Sequence, residues 1–178
     1  MIVLAGASAS GKTEVAKILS SKYGITKIVT TTTRDMRKGE VNGVDYFFVS
    51  KEEFERMIKE DKFVEYTVYN GQMYGSTKDQ IANDKCVVID PAGLRSYIAL
   101  NDKNIITFFL EADEKTRRDR MILRGDDPAK IESRIANDRI AFKKENIATV
   151  DFVIDSTKNV SVEEVADNIY RTYVSIQK

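Results

Sequence analysis

Histidine is absent from this chain of 178 residues. Chemistry must therefore run without imidazole as base, relay or metal ligand, which removes most hydrolase mechanisms and favours reactions driven by positioning and charge. A single cysteine, Cys86, excludes an internal disulfide. Its place in the apolar run Cys86-Val87-Val88-Ile89 suits a reduced, packed thiol in a cytoplasmic protein. Charge of either sign is not in excess: Lys plus Arg and Asp plus Glu number 28 each, so nothing points to nucleic acid or an acidic membrane surface as partner. No apolar run approaches the ~18 residues of a membrane span, and the chain opens straight into an apolar stretch with no cationic leader. With two prolines, no low-complexity tract and no repeat, a single domain is expected. A chain of this length buries roughly 70% of its unfolded surface, enough for a self-sufficient core.

What is present is an alternation. Apolar runs bounded by turn signals recur at 2–5, 86–90, 105–110 and 152–154. Helical patterns lie at about 11–22, 94–100, 113–123, 128–145 and 161–176. That is α/β order, with short continuous strands of the kind buried on both faces of a parallel sheet. Asp113 and Ser161 are expected caps, and Ser161 with Glu164 reads as a capping box.

Directly behind the first apolar run stands Gly6-Ala7-Ser8-Ala9-Ser10-Gly11-Lys12-Thr13. It fits G-x-x-x-x-G-K-[ST], a phosphate-cradling loop, and it sits where that motif belongs, between a buried strand and a helix. The glycines let consecutive N–H groups point into one concavity, and the helix adds the positive end of its dipole. Lys12 would reach β- and γ-phosphates, and the Thr13 hydroxyl would take one coordination site on Mg²⁺.

Between residues 30 and 84 the texture changes. Asp45 to Val49 and Phe63 to Tyr69 read as strands around a helix at 51–60, which Ser50 and Glu53 are expected to open as a second capping box. Tyr46, Tyr66, Tyr69 and Tyr74 gather in this region, suggesting a binding unit; half-buried strand tyrosines with solvated tips remain an alternative for Tyr66 and Tyr69. Arg34 and Arg37 stand three apart beside glycine-bearing turns, and paired guanidinium forks suit a terminal phosphate.

The stretch TTRDMRKGEVNGVDYFFV, followed by Phe63-Val64-Glu65 and Tyr74-Gly75-Ser76, resembles the guanylate kinases over nearly the whole chain. The resemblance implies a phosphate-loop NTPase-type three-layer α/β fold with a parallel sheet. It implies a core at 1–27, 83–119 and 141–178, an inserted GMP-binding subdomain at 28–82 and a helical lid at 120–140. It also implies that Arg34, Arg37, Tyr46 and Tyr74 hold the GMP phosphate, and that Thr30, Glu65 and Ser76 hold the guanine. Guanine presents N1–H and N2–H₂ as adjacent donors, which one carboxylate at Glu65 accepts together; adenine offers a lone pair there instead. Asp90, ending the strand that begins at Cys86, is expected near the guanine and metal waters, with a helix cap before Pro91 as the alternative.

Arg120 and Arg124 fall four apart on one helical face, and Arg134 and Arg139 follow on the next helix. The first three coincide with lid arginines of the family pattern, whereas Arg139 reads equally as solvated surface. The expected reaction is transfer of the ATP γ-phosphoryl group to a GMP phosphate oxygen, with Ala7 to Thr13 and Asp155 on the ATP side and Mg²⁺ as cofactor. No base is needed for an acceptor that is already anionic. Three positions depart from the family pattern: Thr30 replaces a serine, Val88 replaces the first of two strand aspartates, and Asp155 replaces an asparagine near the donor base. The alternatives are a kinase of another small phosphorylated acceptor, or a silent binding module. Monomer and homodimer are both compatible with the sequence.

Overall fold

The structure, a computed structural model, describes residues 1–143, 149–157 and 159–177. In chain order its elements are β1 (Ile2–Ala5), α1 (Lys12–Tyr23), β2 (Thr26–Lys27), β3 (Thr31–Thr32), β4 (Phe47–Phe48), α2 (Lys51–Lys59), β5 (Phe63–Tyr69), β6 (Gln72–Thr77), β7 (Lys85–Val88), α3 (Pro91–Ala99), β8 (Ile106–Glu111), α4 (Glu114–Leu123), α5 (Pro128–Ala141), β9 (Phe152–Asp155) and α6 (Val162–Ile176).

The four apolar runs assemble as one parallel sheet, which the unexpected two-residue β2 extends at its edge, in the order β2-β7-β1-β8-β9. All four residues of β1 are buried, and their side chains alternate between two cores. Ile2 and Leu4 pack with Leu19 of α1, Phe108 and Ile169 of α6. Met1, Val3 and Ala5 pack with Leu94 and Tyr97 of α3 on the other face. Helices on both faces of a parallel sheet make the three-layer α/β arrangement expected from the sequence. Cys86 is fully buried within the first of these cores, and burial pushes its thiol up to about 11.

A second sheet, ordered β4-β3-β6-β5, falls wholly within residues 31–77. It is mixed: β3 and β4 run parallel, while β6 pairs antiparallel with both β3 and β5. Gly75 interrupts the strand pattern of β6 in the sequence. A Cβ at Gly75 would lie 2.7 Å from the Phe63 ring, so glycine is what lets that ring lie against the strand. The expected strand at 45–49 shrinks to β4, preceded by an isolated bridge between Asn42 and Tyr46. Tyr66 sets its ring edge-on to Phe54 but stays half exposed, and Tyr69 is exposed.

The ends of the helices correct the sequence reading in detail. Asp113 caps α4, and Ser161 with Glu164 closes a full capping box on α6. Ser50 caps α2 by accepting from the Glu53 amide, but the Glu53 carboxylate pairs with Arg56 instead of reaching back, so that box is half made. α3 starts three residues earlier than expected because Pro91 fits the first turn, where no N–H is needed. α5 ends at Ala141, and residues 144 and 145 of the expected helix lie outside the described residues.

Candidate functional site

β1 delivers the chain into Gly6, whose φ is 150° and where a Cβ would stand 2.6 Å from the Leu110 carbonyl oxygen. Only glycine fits. The loop then turns through Ala9, at a φ of 59° in the left-handed region, and Gly11, at a φ of 99°, which is the N-cap of α1. Lys12 folds back so that its ammonium donates to the Gly6 and Ala7 carbonyls at 2.6 and 2.9 Å. The first amides of α1 have no partner within the helix and present positive dipole ends to whatever occupies the loop. A cavity of about 350 Å³ opens here, lined by Ala9, Gly11, Lys12, Thr13, Arg120 and Arg124. Burial pulls the Lys12 ammonium down to about 8, with the Asp138 carboxylate opposing and Arg117 adding to the fall.

Arg120 reaches across from α4 to donate to the Ala9 carbonyl at 3.2 Å, and burial lowers its pKa. Arg124 and Arg134 meet on one carboxylate: Arg124 donates twice to Asp126, at 2.8 and 2.5 Å, and Arg134 once, at 3.0 Å. Arg139 takes the surface reading, paired doubly with Glu114. Asp155 ends β9 and accepts from the Thr157 amide at 2.9 Å. Its neighbour Ser156, which the sequence did not single out, lines the same cavity as Lys12 and donates to the Ser10 carbonyl at 2.7 Å.

The second sheet builds the other half. Glu65 and Ser76 face each other across β5 and β6, and the Ser76 hydroxyl donates to Glu65 Oε1 at 2.6 Å. Thr31 pairs with Gly75, so one further step of the antiparallel ladder brings Thr30 abreast of Ser76. Tyr74 is two residues from Ser76 on the same strand and therefore on the same face. Burial raises the Glu65 pKa, and Asp90 nearby adds to the rise. Glu65, Val88, Asp90, Gly93 and Phe63 are among the residues lining a cavity of about 590 Å³ between the two sheets. The helix-cap alternative for Asp90 is realised, since its Oδ1 accepts from the Gly93 amide at 2.8 Å; the residue lines the cavity all the same.

At the far end of that row, the Arg34 guanidinium lies over the Tyr46 ring at 5.3 Å, and Tyr46 meets Tyr74 edge-on. Glu40 holds Arg34 at 2.7 Å and also accepts from the Arg37 amide, so one carboxylate orders the turn bearing both arginines. Arg37 itself is exposed.

Register joins the two halves. Leu4 of β1 pairs with Val88 of β7, and the Ile89 amide donates to the Leu4 carbonyl at 3.1 Å. The phosphate loop and Asp90 thus leave the same edge of the sheet from adjacent strands, the carboxyl-end location where open α/β sheets bind ligands.

A sequence model described as guanylate kinase matches residues 1–172. The chain belongs to the guanylate kinase family. It is 34% identical to a guanylate kinase of Anaplasma phagocytophilum over 179 residues, covering 95% of this chain and 83% of that protein. It is 33% identical to one from Lactobacillus delbrueckii, covering 100% of this chain and 91% of that one. The crystal structure of the Anaplasma phagocytophilum guanylate kinase superposes with a TM-score of 0.65 over 99% of this chain and 85% of the other, at 25% identity. An uncharacterised Eubacterium ventriosum protein shares the fold with a TM-score of 0.58 at 18% identity, each chain covered to 98%.

Proposed function

We propose that this chain transfers the γ-phosphoryl group of ATP to GMP, giving ADP and GDP. Family membership supports the activity, and one observation carries the residue assignment. The lysine-bearing loop and Asp90 leave the carboxyl end of one sheet from adjacent strands, and Asp90 shares a cavity with Glu65.

On the donor side Lys12, the loop amides of Ala7 to Thr13 and Arg120 neutralise the triphosphate, Arg124 and Arg134 close from α4 and α5, and Ser156 and Asp155 flank the site. On the acceptor side Arg34, Arg37, Tyr46 and Tyr74 hold the GMP phosphate. Glu65 accepts from guanine N1–H and N2–H₂ with one oxygen each, the Ser76 hydroxyl also donating to Oε1, with Thr30 beside them. The acceptor oxygen is anionic at neutral pH, so no side chain need take a proton, consistent with a chain that has no histidine. Rate enhancement then comes from alignment and charge neutralisation. The segment 28–82 acts as an acceptor-binding unit and 120–140 as a lid that excludes water when both nucleotides are bound.

The residues suit a magnesium ion that arrives with the triphosphate. Thr13 is exposed within the donor cavity, and no group of three or more His, Cys, Asp or Glu converges among the described residues. Thr13 offers a hydroxyl and Asp90 a carboxylate, hard oxygen groups that would stand beside an ion that keeps several waters. When bound, the ion adds charge neutralisation at the phosphate oxygens.

Measuring ADP release with GMP, dGMP, AMP, CMP and UMP as acceptors tests this reading. GMP and dGMP should exceed AMP in kcat/KM by roughly 10⁴-fold. AMP equal to or above GMP would remove Glu65 as the selecting group.

A further inference from the structure

The phosphate loop is gripped from outside by a charged pair that the phosphoryl-transfer reading leaves unused. Arg117 of α4 and Asp138 of α5 are both buried and join at 2.6 Å. Asp138 also accepts from the Ser8 amide at 2.9 Å and from the Ser8 hydroxyl at 3.2 Å. Arg117 in turn lies 3.4 Å from the Ser8 carbonyl oxygen. Ser8 is thus held through its amide, carbonyl and hydroxyl by two side chains more than a hundred residues away. The next residue, Ala9, has a φ of 59°, a conformation costly for any residue with a Cβ. Its carbonyl is held by Arg120, and its side chain packs on Met121, Ile131 and Ile135 of the same two helices.

A buried ion pair adds little to stability over a well-packed apolar pair. This one is placed where its hydrogen bonds fall on the loop and not merely on each other. We propose that Asp138 is a positioning residue for the donor site: its carboxylate, seated against Arg117, fixes Ser8 and with it the left-handed turn at Ala9 in the shape that receives the ATP phosphates. Because Asp138 lies four residues beyond Arg134 on one helix, the same contact sets α5 relative to the loop. The inference rests on the donor-site assignment made above.

The test replaces the pair with apolar residues, Arg117→Met with Asp138→Leu, so that no buried charge is left alone. Thermal unfolding, the dissociation constant for ATP by titration calorimetry, and the Michaelis constants for ATP and GMP are then compared with the unmodified enzyme. The expected result is a fold of near-unchanged melting temperature, ATP affinity and ATP KM poorer by about tenfold or more, and a GMP KM within twofold. Asp138→Asn keeps the shape and a single acceptor, and should weaken ATP binding by a smaller factor; if the double variant does not fold, this one decides alone. ATP affinity within twofold of the unmodified enzyme in a folded variant overturns the proposal. Equal losses toward ATP and GMP overturn it also, since they mark a general structural defect. Absence of ATP binding by the unmodified enzyme would instead remove the donor-site assignment and this inference with it.

Discussion

Replacing Glu65 with glutamine keeps size and shape while changing what the pocket can accept. Ser76 donates to Glu65 Oε1 at 2.6 Å, so a glutamine that preserves this bond directs its amide nitrogen at the cavity. There it meets guanine N1–H and N2–H₂, donors facing a donor. One charge-assisted hydrogen bond is lost, at about 1.5–3 kcal/mol, and a donor is left unmade in a partly dry site at about 1–3 kcal/mol. Against this, the carboxylate's own burial, which raises its pKa, returns some of the loss. A net cost of about 3 kcal/mol corresponds to a GMP Michaelis constant raised roughly 100-fold. The assay is coupled ADP release, with each nucleotide varied at saturation of the other. The ATP constant should stay within twofold, because the donor loop lies on a different element. A GMP constant within threefold of the parent, or an equal rise for ATP, would refute the assignment of Glu65 to the guanine edge.

Lys12→Ala should reduce GDP formation at least 10³-fold in a chain that still folds, because the ammonium donates only to the Gly6 and Ala7 carbonyls of the loop and lies outside both apolar cores. The pH response of Lys12 separates activity from stability. Its ammonium titrates near 8 in the folded chain and near 10.5 when unfolded, so burial's penalty is fully present below about pH 8 and is relieved as pH rises from 8 to 10.5. Across that window kcat/KM for ATP should fall while the Lys12 contribution to folding stability improves; kcat/KM flat from pH 7 to 9.5 would contradict the Lys12 role. Arg37→Ala should raise the GMP constant at least tenfold and leave unfolding unchanged, since the side chain is exposed. Gly6→Ala should destabilise by about 2–4 kcal/mol in denaturant unfolding, given a Cβ 2.6 Å from the Leu110 oxygen.

What the sequence revealed divides along physical lines. The phosphate loop was legible because its chemistry needs contiguous residues with fixed backbone demands, and Gly6 and Gly11 have the torsions those demands require. The inner strands β7, β1 and β8 were legible because burial on both faces forces unbroken apolar runs, whereas the two-residue β2, Thr26–Lys27, carries no such run. The row Thr30-Ser76-Glu65 was not legible from periodicity: it is made by the register of three strands, one two residues long and one interrupted by Gly75. Family resemblance named those residues, and the ladder sets them side by side. Arg117 and Asp138 carried no signal at all. Each sits in a helix crowded with exposed charges, and only the packing of α4 against α5 and the loop buries them. The half-made box at Ser50 shows the reverse: the pattern is there, but Arg56 one turn on outcompetes the cap for Glu53.

The claim that two anion cradles share one gap is met most directly by a compound that must span them, adenosine and guanosine joined through five phosphates. Titration calorimetry should give one molecule bound per chain, at least 10²-fold more tightly than ADP or GMP alone, because the second contact is made at high effective concentration. Lys12→Ala and Arg34→Ala should each abolish that gain. Binding no tighter than the better single nucleotide, or two molecules bound per chain, would mean that the cradles do not face a common cavity.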